Sequence, residues 1–266
     1  RMVRYPYLRQ VVNTQKVWTN YILMKKLIAF DLDGTLTESK TDIDAEMVDL
    51  LTQLQKIKMV AVIGGASFKQ FQKQFLNYHK FYENLYIMPT SGASLYKYEN
   101  GQWQVMYQAL LTPDEKQQIF EAFDKALKEI NYEHPVKTYG QIIEDRECEV
   151  VFSTLGQEAP LSARLSLKFD RRPEIINAIK KHLAQFKVSL SGINSIDVTR
   201  LGIDKGFAIE QLETILQISK DEIVFVGDAI YEGRNDFAVV RTGVELVRVS
   251  DPTDTKRFVK SLLVLP

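Results

Sequence analysis

Two carboxylates stand one residue apart where an apolar stretch ends. Residues 27–30 predict a buried strand, Asp31 and Asp33 follow it, and Gly34 marks a tight turn. Side chains two positions apart in a strand point the same way, and crowded negative charges need a cation or a bound group to compensate them. The pair indicates metal-assisted chemistry, with a corner of solvated acids as the plainer alternative. A calcium loop is disfavoured, because a strand precedes and position 42 is Asp where such a loop needs Glu.

Other polar or glycine-rich segments follow further predicted strands. Residues 59–63 and 223–226 are apolar runs that predict buried strands. The carboxyl ends of parallel strands meet at one edge of a sheet, so we expect distant residues to converge there. The candidates at this edge, besides Asp31 and Asp33, are Gly64, Gly65, Ala66, Ser67, Asp228, Asn235 and Asp236.

Lys205 begins a predicted helix that carries apolar residues at helical spacing. The amino end of a helix has a partial positive charge, so a lysine is electrostatically unfavourable there. This position favours a functional lysine, which would balance the charge of a phosphoryl group, over an ordinary solvated one.

The order of predicted elements indicates an α/β protein with an insertion. Strands alternate with helices in residues 27–108 and again in 200–266, which predicts a Rossmann-like core with a parallel sheet. Residues 109–199 are rich in strands and contain two predicted helices, one that starts after Thr112 with Pro113 at its first position and one at about 173–186. We therefore interpret them as an inserted α+β cap domain. Within the first core segment, Asn100 and Gly101 predict a type I′ hairpin turn.

Composition excludes several classes of protein. The chain has 266 residues, 45% of them hydrophobic and 26% charged, which is typical of a globular protein. Lys plus Arg equals Asp plus Glu at 34 each, so no overall basic field favours nucleic acid. The single cysteine, Cys148, excludes an internal disulfide and fits a reducing cytoplasm. No apolar run approaches the roughly 18 residues of a membrane span.

The run from Asp31 to Leu36, Asp-Leu-Asp-Gly-Thr-Leu, resembles the first motif of the haloacid dehalogenase-like phosphotransferases. The resemblance implies that Asp31 is the nucleophile that forms an aspartyl phosphate and that Asp33 is the general acid and base. It also implies Mg²⁺ as the cofactor, held by Asp31, the Asp33 carbonyl and Asp228, with Asp236 either as a further ligand or as an anchor for the groups around the metal. Such a protein usually begins just before this strand, so we expect it to start at Met24 and residues 1–26 to be a non-catalytic extension, with a membrane- or partner-binding arm as the alternative.

The second motif departs from the general pattern. A Ser or Thr usually follows the second strand and binds phosphate, whereas this chain has Gly64. The segment Gly-Gly-Ala-Ser resembles the Gly-Gly-Ser-Asp of eukaryotic-type phosphomannomutases, the type IIB branch of the superfamily. Backbone amides of Gly64, Gly65 and Ala66 are expected to bind phosphate, and Ser67 either adds its hydroxyl or only caps the helix.

The likeness to phosphomannomutases covers about residues 27–266 and extends into the predicted cap. Glu-Asp-Arg at 144–146 resembles their Glu-Phe-Arg, and Ser-Ile-Asp-Val at 195–198 resembles their Ser-Phe-Asp-Val. This implies that Arg146 holds a distal phosphate, or else forms a surface salt bridge, and that Ser195 and Asp197 bind sugar hydroxyls; Asn235 is a further candidate substrate contact. Gln157 stands where the mutases have a second Arg, which weakens the expected grip on a bisphosphorylated sugar.

These observations predict a Mg²⁺-dependent phosphatase of a small phosphorylated metabolite, a sugar phosphate in particular, that works through an aspartyl phosphate. The alternative is a phosphomannomutase, because hydrolysis and transfer differ only in which acceptor reaches the aspartyl phosphate. A non-catalytic binding module is a remote alternative, since the acids required for phosphoryl transfer are present. The expected partners are a small phosphorylated substrate and, from the mutase resemblance, a second copy bound through the cap, in the cytoplasm and without nucleic acid.

Overall fold

The structure, a computed structural model, describes residues 8–10, 24–38, 41–167, 170–191 and 193–264. The chain divides into two compact units, Arg1–Gln108 with Asp204–Pro266, and Ala109–Ile203. We call them the core unit and the inserted unit. Most of the proposed extension, residues 1–26, lies outside the described residues.

The core unit is built on a mostly parallel sheet. In the described part of the chain its strands are β1 (Leu8–Gln10), β2 (Leu27–Asp31), β3 (Met59–Ile63), β4 (Leu85–Met88), β5 (Ser94–Glu99), β6 (Gln102–Gln108), β11 (Ile223–Gly227) and β12 (Glu245–Arg248). Their order is β1-β12-β11-β2-β3-β4-β5-β6. Every pairing from β1 to β4 is parallel, and β5 and β6 are antiparallel. The predicted α/β class with a parallel sheet is confirmed, and the ends of β2, β3 and β11 lie along one edge.

Helices cover both faces of this sheet, so its central strands β11, β2 and β3 are mainly apolar. The helices of the core unit are α1 (Ala45–Gln55), α2 (Phe68–Phe71, continued by a π-helix, Gln72–Leu76), α6 (Lys205–Leu216) and α7 (Pro252–Leu263). On one face Phe30 and Val62 pack with Met47 of α1, and on the other Ala29 packs with Ile209 of α6. A strand buried on both sides has no polar alternation, which is why β2 is a continuous apolar run.

The hairpin of β5 and β6 has the predicted turn. Asn100 and Gly101 both have positive φ, 53° and 81°, as a type I′ turn requires. The sequence signal was sufficient here because the turn geometry depends on these two residues alone.

The inserted unit has one apolar and one polar sheet face. Its strands are β7 (Ile143–Asp145), β8 (Glu149–Ser153), β9 (Phe186–Ser191) and β10 (Ser195–Arg200), and its helices are α3 (Pro113–Glu129), α4 (Leu161–Leu165) and α5 (Arg172–Ile179). In the described residues the strand order is β7-β8-β10-β9, all antiparallel. Phe152 and Ile196 pack with Phe123 of α3 and Ile175 of α5. The alternate residues of β8 and β10 therefore form the polar face.

None of the helices in the described part of the chain combines the length and apolar composition that crossing a bilayer requires.

Candidate active site

A buried lysine lies between two carboxylates at the carboxyl edge of the core sheet. Asp31 is the last residue of β2, and Lys205 is the first residue of α6. The Lys205 Nζ donates to Asp31 Oδ1 and, at 2.5 Å, to Asp236 Oδ1. The three side chains are almost fully buried, with relative exposures of 4%, 1% and 0% for Asp31, Lys205 and Asp236. The structure thus brings together residues that are 174 and 31 positions apart.

Burial and charge act against each other in this cluster. Burial raises the pKa of Asp31 to about 8 against the attraction of Lys205, and Asp236 and Asp228 add to the rise. Burial also opposes the charged form of Lys205, but Asp236 and Asp31 outweigh it and hold the lysine pKa above its ordinary value. One ammonium group faces three carboxylates, so the cluster has an excess of negative charge that a cation would relieve.

Thr35 connects the ends of β2 and β11. Its hydroxyl is 3.5 Å from Asp31 Oδ2 and 3.2 Å from Asp228 Oδ1, and it accepts a hydrogen bond of 3.1 Å from the Asp228 backbone N–H. A hydroxyl has one proton and donates to one of these carboxylates at a time. Thr35 is fully buried, so it holds Asp31 and Asp228 at a set separation. Sequence reasoning assigned it no role, although it belongs to the Asp-x-Asp-Gly-Thr motif.

Asp236 is held on both of its oxygens. Oδ1 accepts from Lys205, and Oδ2 accepts from the Ala229 N–H at 3.0 Å. A Cβ at Gly227 would collide with Asp236 Oδ2, so glycine at the end of β11 makes room for this carboxylate. Of the two roles predicted for Asp236, ligand or anchor, these bonds favour the anchor that positions Lys205.

The donor set fits a hard divalent cation. Carboxylate oxygens of Asp31, Asp228 and Asp236 lie within 4.8 Å of one another. Oxygen ligands are those that Mg²⁺ prefers, and it is usually held by one or two carboxylates and several waters. Asp31 and Asp228 would supply those carboxylates, since Asp236 is already engaged. The contribution predicted for the Asp33 carbonyl stays a prediction.

The glycine segment after β3 offers fewer open amides than predicted. The Gly64 N–H donates to the Met88 carbonyl at 3.1 Å, so it is not available to a phosphate. Gly65 and Ala66 remain as candidates. The Ser67 hydroxyl accepts from the Gln70 N–H at 3.3 Å and caps α2, the plainer of its two predicted roles.

Asp33 and Asn235 lie near this cluster along the chain. Asp33 is half-buried two residues after the end of β2, and Asn235 is exposed beside Asp236. Their roles as acid–base group and substrate contact stay predictions.

In the inserted unit, Arg146 is bonded to neighbouring groups through each of its three side-chain nitrogens. Its Nε donates to Glu144 at 2.5 Å, its Nη1 to Glu149 at 3.2 Å and its Nη2 to Gln157 at 3.2 Å. These bonds use three of the five guanidinium N–H groups, so a phosphate would have to share the guanidinium with two carboxylates. The residue is thus held in the ion pair that sequence analysis named as the alternative, and in a partly buried position rather than on the surface, with 22% of the side chain exposed.

Ser195 and Asp197 lie on the polar face of the same sheet. Asp197 pairs with Val151 of β8, which in turn pairs with Glu144 of β7. Burial, and then the charge of Asp197, raise the pKa of Glu149 to about 8, against the attraction of Arg146. This face carries three carboxylates, those of Glu144, Glu149 and Asp197, and one cation, Arg146, so negative charge is in excess. Sequence reasoning missed Glu149. The signal that could have found it is an acidic residue that stands between apolar residues in a predicted strand.

The core fold and the Asp31–Lys205–Asp236 cluster define a phosphotransferase of the haloacid dehalogenase-like class. Solved structures of the same fold include Plasmodium falciparum IMP-nucleotidase, with TM-score 0.68 and 21% identity over 91% of this chain and 70% of that chain. Another is a haloacid dehalogenase-like hydrolase from Bacteroides thetaiotaomicron, with TM-score 0.61 and 15% identity over 89% of this chain and 98% of that chain.

The chain belongs to the eukaryotic phosphomannomutase family, whose family model matches residues 47–265. The phosphomannomutase of Spinacia oleracea is 27% identical over 237 residues, which cover 86% of this chain and 92% of that protein. The family match begins beyond Asp31 and Asp33, so their assignment depends on the motif and the geometry.

Proposed function

We propose that this protein is a Mg²⁺-dependent phosphomannomutase-type enzyme, which moves a phosphoryl group between hydroxyls of a hexose through an aspartyl phosphate at Asp31. The observation that carries phosphoryl transfer is the buried carboxylate of Asp31 with one oxygen held by Lys205. An ammonium group at this position orients the nucleophile and offsets the negative charge that would repel a phosphate.

The reaction follows from the residues of the core unit. Asp31 attacks phosphorus, the bond from phosphorus to the sugar oxygen breaks, and Asp33 gives that oxygen a proton. In the second half, Asp33 takes the proton of the incoming hydroxyl, which attacks phosphorus and releases Asp31. Mg²⁺, when bound, would neutralise charge on the transferring group. Asp228 and Thr35 keep the carboxylates in place.

Family membership supports transfer to a sugar hydroxyl rather than to water. The curated relatives are named phosphomannomutases, and they align with most of this chain. These comparisons support the alternative of the sequence analysis more than its leading hypothesis, a phosphatase.

A phosphatase is the second candidate, because one feature of the inserted unit favours it. A mutase must retain a bisphosphorylated intermediate, which calls for cations that bind a second phosphate. Arg146 is neutralised by Glu144 and Glu149, and Gln157 supplies no charge. If the bisphosphate were released into solvent, water would take the place of the sugar hydroxyl in the second half-reaction. The same first half-reaction would then lead to hydrolysis.

Product analysis separates the two candidates. The protein is incubated with Mg²⁺ and a panel of hexose 1- and 6-phosphates, with and without a hexose bisphosphate, and both free phosphate and isomeric sugar phosphate are followed. We expect activator-dependent isomer formation. Phosphate release alone would overturn the mutase assignment in favour of the phosphatase, and the absence of both products would refute both candidates. Replacing Mg²⁺ with a chelator is expected to stop turnover.

We further propose a small phosphorylated sugar as the ligand, a homodimer formed through the inserted unit, and a cytoplasmic location. The family resemblance supports the dimer, and light scattering of the purified protein tests it. The lone Cys148, which is buried and reduced, supports the location.

A further inference from the structure

A strained turn follows β4, next to the glycine segment of the site. Thr90, Ser91 and Gly92 have φ values of 53°, 54° and 94°. Left-handed backbone is unfavourable for residues other than glycine, and most of all for a β-branched residue such as Thr90. Two such residues in succession persist only where their surroundings impose the conformation, and such strain is concentrated at functional sites.

Contacts from both sides hold this turn in place. The N–H groups of Thr90 and Ser91 donate to the carbonyls of Ala66 and Gly64, at 2.9 Å and 2.8 Å. These bonds attach the turn to the segment that follows β3. In a loop that only connected two strands, glycine would adopt this backbone conformation without strain. Residues other than glycine at these positions therefore indicate a further role.

The turn also contacts the helix that carries Lys205. A Cβ at Gly92 would collide with Ala208, one turn along α6, so the backbones are in close contact there. On β6, the Tyr107 hydroxyl donates to the Gly92 carbonyl. Ser91 therefore lies between the glycine segment and the amino end of α6, the two elements that flank the site of phosphoryl transfer.

The hydroxyl of Ser91 lies beside Gly65, one residue after the position at which the second motif lacks a hydroxyl. Its Oγ is 3.9 Å from the position that a Cβ on Gly65 would take, and the residue is half-buried. Within the described residues, Ser91 Oγ has no hydrogen-bond partner. Ser67, by contrast, uses its hydroxyl to cap α2.

We infer that Ser91 donates its hydroxyl hydrogen bond to the phosphate of the substrate and so replaces the hydroxyl that Gly64 lacks. The inference depends on the proposed function in one respect, that this site binds a phosphate. The strained backbone aims the hydroxyl past Gly65, where the absence of a side chain leaves the approach open. Glycine at position 91 would relieve the strain but remove the donor, which explains why serine occupies an unfavourable conformation.

Binding of inorganic phosphate in the presence of Mg²⁺, measured by calorimetry, tests this role without any assumption about the sugar. Ser91→Ala is expected to weaken the binding by about 10- to 100-fold, the usual effect of removing a hydrogen bond to a charged group. Ser91→Gly is expected to weaken it equally while the unfolding temperature stays the same or rises by about 2 °C. Ser67→Ala tests the competing donor, because accepting the Gln70 N–H leaves the Ser67 O–H proton free, and it is expected to bind phosphate as the wild type does.

The outcomes separate the inference from the proposed function. Unchanged phosphate binding by Ser91→Ala would overturn the role of Ser91, and so would a loss confined to Ser67→Ala. If the wild type binds phosphate but turns over no hexose phosphate, the proposed function is refuted. The difference in phosphate binding between Ser91→Ala and the wild type still tests the role of Ser91 in that case. Loss of binding in Ser91→Gly without loss of thermal stability would support the role, because misfolding is then excluded.

Discussion

Lys205 in the core unit and Arg146 in the inserted unit both lie between carboxylates, yet the two clusters differ in what they leave open. Lys205 is fully buried, and its partner Asp31 keeps an oxygen directed toward Thr35 and Asp228. Arg146 is partly exposed and has each of its three nitrogen atoms engaged.

The difference lies in which ion has the larger unused bonding capacity. In the core it is a carboxylate, the group that the proposed mechanism needs as nucleophile and metal ligand. In the inserted unit the cation, which a mutase would need to bind a second phosphate, already has a bond on every nitrogen and two carboxylate partners. A charged residue at a family position therefore predicts a role only when its partners are known.

The largest expected effect is that of Asp31→Asn. The amide cannot form the aspartyl phosphate, so turnover should fall by at least about 10³-fold, as for removal of other nucleophiles. Circular dichroism should show an unchanged fold. Asp42→Asn is the matched control, because Asp42 is exposed and the amide oxygen can still accept from Tyr78. If Asp31→Asn retained its turnover, the cluster of Asp31, Lys205 and Asp236 would have no part in the mechanism.

Removing the two cations should affect stability unequally. Lys205→Met leaves two buried carboxylates unpaired and should lower the free energy of unfolding by about 3–5 kcal/mol. Arg146→Met should cost less, about 1–2 kcal/mol, because Arg146 and its partner Glu144 are partly exposed whereas Lys205 and its partners are buried. Urea unfolding measures both, and equal losses would contradict the contrast between the clusters.

A third buried group, His79, has no charged partner in the described structure and should make the core unit sensitive to acid. Burial lowers the pKa of His79 from 6.5 to about 4, and its Nε2 contacts Gln55 Oε1 at 2.5 Å. Between these pKa values the unfolded chain binds the proton and the folded chain does not, so stability falls as pH drops below about 6.5. From pH 7.5 to pH 5 the loss should be about 2 kcal/mol.

His79→Gln should abolish that part of the pH dependence in urea unfolding, since the amide can still donate to Gln55 and does not titrate. An identical pH profile for the variant would show that other groups cause the acid sensitivity.

The smallest expected effect is a gain of binding. Gln157→Arg adds a cation to a cluster with excess acid and should strengthen binding of a hexose bisphosphate by about tenfold, as a charge-assisted hydrogen bond would. Calorimetry measures the change. Gln117→Arg, at an exposed position of α3, changes the net charge equally and should have no effect. Equal effects of the two variants would mean that the polar face of the inserted unit is not a phosphate subsite.

Local signals were enough to predict much of the fold. Apolar runs marked β2, β3 and β11, and Thr112 with Pro113 marked the start of α3, because these elements depend on neighbouring residues. The convergence of Asp31 and Asp228 followed from the rule for parallel strands, and that of Lys205 from the charge that a phosphoryl group needs balanced.

Other features depend on contacts that sequence patterns do not contain. The short helix α4 was missed, and the predicted helix 173–186 ends at Ile179. The pairing of Arg146 depends on strand register, and the conformation of Thr90 and Ser91 depends on carbonyls 24 and 27 positions away, respectively. Such features are set by tertiary structure and require coordinates.

The hydrogen bond from Tyr107 to the Gly92 carbonyl connects an edge strand of the core sheet to the turn that carries Ser91. The Tyr107 ring also meets Phe207, two residues after Lys205, edge to face with centroids 6.3 Å apart. Variation at Tyr107 would be transmitted to Ser91 and to the start of α6 together. The hairpin that carries Tyr107 thus helps to fix the position of the strained turn and of the start of α6, although it supplies no acid, base or metal ligand.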